Sequence, residues 1–210
     1  EILLDAVMPE EAIQCVTGSG ATIGDAVVSH PAVRKVTFTG SQEVGEQIMR
    51  TAGLKKVTME LGSNSPLIVL PDADVEKVAL ATVQNGYANA GQACISTQRV
   101  YVDREVYGDY LDALKPMVAA LPSGDPMGDA IKVGPMVRES DAQRVEGWIN
   151  EAVGAGARLI EGGGRNGAVL APSILADVHP DMKVSREELF GPAVGVTPIE
   201  GIDEAIQYAN

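Results

Sequence analysis

Val36-Thr37-Phe38-Thr39-Gly40-Ser41-Gln42-Glu43-Val44-Gly45 reads as a strand that ends in a glycine-serine turn and opens a helix. Alternating β-branched and aromatic residues mark the strand, and a helix is expected over residues 42–52. Such a turn places a hydroxyl and free backbone N–H groups just past a strand end, where α/β sheets bind ligands. The stretch therefore decides between an α/β sheet and an all-helical or all-strand chain.

Working outward, strand and helix alternate along the whole sequence. Upstream, a helix end is expected over residues 1–6, a strand over 13–17 and a helix over 22–29 that Pro31 ends. Gly18, Gly20 and Gly24 lie between that strand and helix, and are either a phosphate-cradling turn or a plain strand-to-helix turn, since Ile23 breaks the dinucleotide fingerprint spacing. Downstream, Gly53 stops the helix and residues 55–60 form the next strand. A strand over 67–70 follows, then a helix over 75–89 with Asp74 as N-cap. Next come a strand over 99–102 and a helix over 104–121 that Pro116 must kink or divide. A loop over 123–129 precedes a helix over 140–153 that ends at Gly154. Short strands at 158–160, 169–170 and 193–198 complete the sheet before a last helix from Ile202. The pattern is α/β with a mostly parallel sheet and flanking helices. The turn at residues 62–66 divides it into 1–62 and 63–210. A chain that opens at a helix end and stops within another helix reads as part of something larger.

Composition narrows the function. The 210 residues carry 16 Lys and Arg against 29 Asp and Glu, a net charge of −13. That balance excludes a phosphate-binding nucleic-acid surface. No apolar run reaches the roughly 20 residues of a membrane span, and no signal segment is visible, so neither a nucleic acid nor a membrane is an expected partner and the default location is cytoplasmic. There are two cysteines. In such a compartment they stay reduced. Cys15, in an alternating apolar stretch, is expected to be an inert packed strand residue.

Cys94, in Ala90-Gly91-Gln92-Ala93-Cys94-Ile95-Ser96, sits among small residues that suit neither helix nor strand interior. Its thiolate can attack a carbonyl, or it is a small buried hydrophobe. Glu60, in Met59-Glu60-Leu61-Gly62, ends a β-rich run. It can take a proton from water if an apolar site raises its pKa, or it is an exposed strand-end carboxylate. Glu187 and Glu188 are either solvated loop carboxylates or, with Phe190-Gly191-Pro192 behind them, part of a site. His30 and His179 each precede a proline in a turn and have no partner at metal-ligand or triad spacing.

Taken in order, residues 36–45, Met59-Glu60-Leu61-Gly62, Asn89-Ala90-Gly91-Gln92-Ala93-Cys94 and Glu187-Glu188-Leu189-Phe190-Gly191-Pro192 resemble the motifs of the aldehyde dehydrogenase superfamily, across essentially the whole chain. The resemblance implies the aldehyde-dehydrogenase-like α/β fold, with 1–62 the C-terminal part of a Rossmann-like NAD(P)-binding domain and 63–210 a complete catalytic thiol domain. It implies that Cys94 is the nucleophile and Glu60 the general base. It matches Gly40, Ser41 and Gly45 to the turn on the pyrophosphate and adenine side of NAD or NADP. Leu61 and Gly62 match the strand end lining the nicotinamide, and Glu188 and Phe190 the carboxylate and aromatic that hold its ribose and ring. Ser63 stands where many members carry a second glycine. The sulfur is expected in the crevice at the carboxyl edge of the sheet, with the Cys94 N–H and an asparagine upstream of this chain facing the oxyanion. The implied reaction is NAD(P)-dependent oxidation of an aldehyde to an acid through a thiohemiacetal and a thioester. Transfer of the acyl group to coenzyme A, and a non-catalytic folding or assembly unit, remain alternatives. The implied assembly is a homodimer or homotetramer.

Overall fold

The structure, a computed structural model, describes Ala6 and residues 8–210. The helix end expected over residues 1–6 falls, Ala6 apart, outside them. The chain forms two compact units, Glu1–Gly62 and Ser63–Asn210.

The first unit holds helix α1 (Gly20–Ser29), strand β1 (Lys35–Gly40), helix α2 (Gln42–Ala52) and strand β2 (Lys56–Leu61). The two strands pair in parallel, from Lys35 opposite Lys56 to Gly40 opposite Leu61, so their carboxyl ends lie side by side. Ser41 caps α2, its hydroxyl accepting from the Val44 N–H at 3.4 Å. Gln47 of α2 donates to both carboxylate oxygens of Asp25 on α1, at 3.0 and 3.2 Å. Among the described residues of this unit only Val28, Gly45 and Ala52 are buried. The strand expected over residues 13–17 does not form: these residues are all exposed and have no ladder partner among the described residues. Alternation supplies a face for burial, and here no second layer covers it. Cys15 is accordingly exposed, not packed in a core.

The second unit is built on a five-stranded sheet in the order β3-β4-β9-β8-β5. Its strands are β3 (Pro66–Val69), β4 (Arg99–Asp103), β5 (Arg158–Glu161), β8 (Ser173–Ala176) and β9 (Ala193–Ile199). All neighbours run parallel except β5, which pairs antiparallel with β8. Helices α3 (Val75–Gly86), α4 (Arg104–Ala119), α5 (Glu139–Gly154), α6 (Lys183–Arg186) and α7 (Gly201–Ala209) accompany it. Residues 169–170 do not join this sheet. As β7 (Val169–Leu170) they pair with β6 (Arg165–Asn166) in a small hairpin of their own.

Period-two alternation divides the core between the two faces. Val100, Val102, Ile174, Val194 and Val196 pack with α3 and α4 residues such as Ala79, Tyr110 and Leu114. Leu175 and Ala193 turn the other way, onto Val145 and Ile149 of α5, while Tyr101 and Ile199 meet Ala205 of α7. Asp74 caps α3 as its position predicts, accepting from the Lys77 N–H at 3.2 Å. Helix α4 continues through Pro116 to Ala119 without dividing. Pro116 and Asp112, whose carbonyl loses its donor, are both exposed, so that carbonyl is open to solvent one turn before the helix ends.

At the carboxyl end of β8, Asp177 adopts a left-handed backbone, φ 55°. The Tyr107 hydroxyl accepts from the Asp177 N–H at 2.8 Å and donates to its Oδ1 at 2.9 Å, and Arg158 of β5 pairs with Oδ2. Burial acts to raise the Asp177 pKa, but the Arg158 guanidinium and the Tyr107 hydroxyl outweigh it and leave it lowered. A lowered carboxyl pKa contributes stability above the unfolded-state value of about 4 and loses it as pH falls through the folded value. Asp177→Asn should therefore lower the urea midpoint at neutral pH, and its deficit relative to wild type should shrink below about pH 4 when unfolding is followed by far-UV circular dichroism.

Candidate active site

In the first unit the parallel register sets Thr39 opposite Glu60 and Gly40 opposite Leu61, gathering four residues at one sheet edge. Gly45 is buried against that edge: a Cβ there would lie 2.8 Å from the Leu61 side chain. Gly40 is restricted too, since a Cβ would meet the Phe38 ring at 2.4 Å. At both glycines the close atom is the far end of a side chain, which would have to turn aside for a larger residue. Glu60 is exposed on this unit, without the apolar enclosure its expected role calls for. Beside these residues, α1, β1 and α2 enclose a largely apolar cleft of about 710 Å³, whose lining includes Ile23, Val27, Phe38, Val44 and Gln47. Gly20 and Gly24 have nothing within 4 Å of a would-be Cβ and open onto the same cleft.

In the second unit Cys94 lies in the turn between α3 and β4. Helix α3 returns antiparallel from the carboxyl end of β3, so this turn enters the sheet at its amino edge. The sulfur, expected at a carboxyl edge, thus stands at the amino edge of its own unit's sheet, whereas Gly40, Glu60 and Leu61 stand at the carboxyl ends of the first unit's strands. The helix expected to reach Asn89 ends at Gly86, followed by a tight 3-10 turn, Ala88–Gly91. Within it Asn89, Ala90 and Gly91 take φ values of 51°, 56° and 68°, a left-handed run in which two residues are not glycine.

Polar anchors hold this run. The Asn89 amide donates to the Gln92 carbonyl at 3.0 Å, and the Gln92 amide returns a bond to the Asn89 carbonyl at 3.1 Å. Gln92 Oε1 also accepts from the Val137 N–H at 2.9 Å. Past the cysteine, the Ser96 N–H donates to the Ala93 carbonyl at 2.9 Å, and its hydroxyl reaches Asn85 and Gly86 carbonyls at the end of α3. Between these anchors Cys94 is exposed, as is Ile95.

Glu188 and Phe190 arrive on the loop leading into β9, at the same amino edge. Glu188 Oε1 accepts from the Ser63 N–H at 3.1 Å. Phe190 has a left-handed backbone, φ 48°, and its N–H and that of Leu189 donate to Gln98 Oε1 at 3.2 and 2.6 Å. The next residue, Gly191, presents its carbonyl to Gly91. A Cβ on Gly91 would lie 2.0 Å from that oxygen, so the cysteine turn and the Phe190 loop touch backbone to backbone.

The whole sequence, residues 1–210, matches the aldehyde dehydrogenase family. The chain belongs to that family. It is 46% identical over all its 210 residues to a 3-sulfolactaldehyde dehydrogenase of Priestia aryabhattai, and spans 44% of that protein's length. It is 37% identical to a mitochondrial succinate-semialdehyde dehydrogenase of Arabidopsis thaliana, covering all of this chain and 41% of that one. An NADP-dependent glyceraldehyde-3-phosphate dehydrogenase of Bacillus halodurans, solved with NADP, superposes with a TM-score of 0.96 at 38% identity over 99% of this chain and 44% of that one. A betaine aldehyde dehydrogenase of Staphylococcus aureus, solved with NAD+, gives 0.92 at 29% identity over 100% and 43%. The chain thus spans less than half the length of these relatives.

Within this aldehyde dehydrogenase chain the predicted site residues fall into one cluster per unit: Gly40, Ser41, Gly45, Glu60, Leu61 and Gly62 in the first, Cys94, Glu188 and Phe190 in the second. His30 and His179 are exposed turn residues whose Nδ1 atoms accept from the N–H groups of Ala32 and Asp181. Tyr110 and Tyr87 are not bases for chemistry near neutrality, since burial pushes Tyr110 up to about 12 and Tyr87 well above its usual value. Sequence reading missed Gln98, which is 1% exposed. Its signal was available as a polar residue at the mouth of the apolar strand β4, but its partners lie more than ninety residues on. Gln98→Ala leaves two buried-loop amides unpaired and should cost about 1–3 kcal/mol in urea unfolding, whereas Gln98→Glu, which keeps an acceptor, should cost less.

Proposed function

We propose that the full protein oxidises an aldehyde to a carboxylic acid with NAD or NADP as hydride acceptor, this chain supplying the nucleophile and part of the cofactor site. The observation that carries the reading is the cysteine turn: a left-handed backbone run, anchored on both sides, holds an exposed thiol next to the loop bearing Glu188 and Phe190. Strained backbone maintained by surrounding bonds is a feature of reactive sites.

The residues present suit a dinucleotide. The apolar cleft of the first unit has room for a flat heteroaromatic group, and Gly40, Ser41 and Gly45 stand at the adjoining helix start, where N–H groups favour anions. Leu61 and Gly62 would line the nicotinamide. Glu188 keeps free lone pairs for ribose hydroxyls after accepting from Ser63, and Phe190 flanks the ring. When bound, the dinucleotide supplies the hydride acceptor.

Cys94 acts as thiolate, its sulfur adding to the aldehyde carbon while its backbone N–H donates to the developing oxyanion. Glu60 takes the proton of the water that later hydrolyses the thioester on Cys94, freeing acid and thiol. A thiol nucleophile fits a reducing, cytoplasmic compartment, and the family resemblance favours a homodimer or homotetramer. The acidic composition gives no basis for a nucleic-acid partner.

An aldehyde panel assayed on the full protein tests this. Cys94→Ser should lower aldehyde-dependent reduction of NAD or NADP by roughly a thousandfold or more, and retained turnover would remove the reading. Product analysis with and without coenzyme A should yield free acid in both; an acyl thioester of coenzyme A would replace hydrolysis by acyl transfer. In this chain both thiols are exposed, so access does not separate them. Iodoacetamide should nonetheless modify Cys94 ahead of Cys15, read by peptide mass spectrometry, and equal rates would count against an activated Cys94.

A further inference from the structure

Ser63 joins the two halves of the second unit's site through different atoms. Its backbone N–H donates to Glu188 Oε1 at 3.1 Å, and its side-chain hydroxyl donates to the main-chain carbonyl of Cys94. Next to it, the Asn64 amide donates to the carbonyls of Ser185 and Glu187 at 2.7 and 3.2 Å, which fixes the stretch preceding Glu188. Arg99 Nε reaches the Asn64 carbonyl from the start of β4. The segment before β3 is thereby held against both loops, with Ser63 half-buried between them.

We propose that Ser63 is a positioning residue for the proposed dehydrogenase reaction, its hydroxyl fixing the Cys94–Ile95 peptide plane and so the direction in which the sulfur leaves the main chain. The turn before Cys94 is held by Asn89 and Gln92, and the turn after it by Ser96. Between those anchors, the Ser63 hydroxyl bond is the side-chain restraint on Cys94 itself. A glycine in its place would keep the N–H for Glu188 and have nothing to offer the Cys94 carbonyl. The two functions of Ser63 are therefore chemically separable: the amide serves the cofactor carboxylate and survives any substitution but proline, while the hydroxyl serves the nucleophile and does not.

This inference rests on the reading given under Proposed function, and the two fail differently. Ser63→Ala in the full protein should lower kcat about 10- to 100-fold, the range expected when a reacting group is displaced by a fraction of an ångström to an ångström, with KM for the dinucleotide within about twofold of wild type. Ser63→Thr, which restores a hydroxyl, should recover most of the lost kcat. Glu188→Gln should show the opposite division, raising the dinucleotide KM more than it lowers kcat. An Ala variant with wild-type kcat overturns the proposal. So does a kcat loss that Thr does not repair or that comes with an equal rise in dinucleotide KM, since either marks general disruption of the junction. Turnover surviving Cys94→Ser would instead overturn the underlying reading.

Discussion

The second unit depends on one close approach of main chain to main chain. At Gly91 the backbone passes so near the Gly191 carbonyl that a single methyl group would collide with it. That contact brings the turn carrying Cys94 against the loop carrying Phe190, and it is possible only because the turn has swung into the left-handed region for three residues in succession. For Asn89 and Ala90 this costs on the order of 1 kcal/mol each or more. The surroundings hold the cost in place: Ala90 is fully buried, and the Gln92 amide reaches both back along the turn and across to Val137. The thiol is thus presented by a backbone that could not relax without breaking several bonds together.

The first unit works by contrast through register. Few of its residues are buried, yet the parallel pairing of β1 with β2 aligns Gly40, Glu60 and Leu61 without any side-chain network. Gly45 then lets α2 settle on the end of β2. A larger residue there would have to displace the end of the Leu61 side chain.

The sequence was most legible where local chemistry suffices. The strand-turn-helix over residues 35–52, the Asp74 cap and the stop at Gly154 follow from spacing, capping and breakers, and the structure carries each. Reading failed where partners far along the chain decide. Residues 13–17 alternate like a strand but find no ladder partner among the described residues. Residues 173–176 gave no strand signal, short and wedged behind Pro172, yet as β8 they are wholly buried between β9 and β5. The helix expected to run to Asn89 stops early because the following residues are drawn into the left-handed turn, a demand no propensity encodes. For the site, the motifs pointed to Cys94 and Glu188, but the bonds from Ser63 and Gln98 that hold their loops span separations no local pattern reveals.

In the second unit, Ser63, the Cys94 turn and the Phe190 loop all stand at the amino ends of β3, β4 and β9. The opposite edge carries a different set: Asp103, which caps α4 and accepts from the Gly201 N–H at 3.0 Å, and Asp177 with Tyr107 and Arg158. That second set of polar contacts is a full strand length away from the Cys94 turn. Each rim therefore has its own polar fastening, Gln98 under the Phe190 loop at one and Asp177 with its partners at the other, so a substitution at either can be felt without unfastening its counterpart.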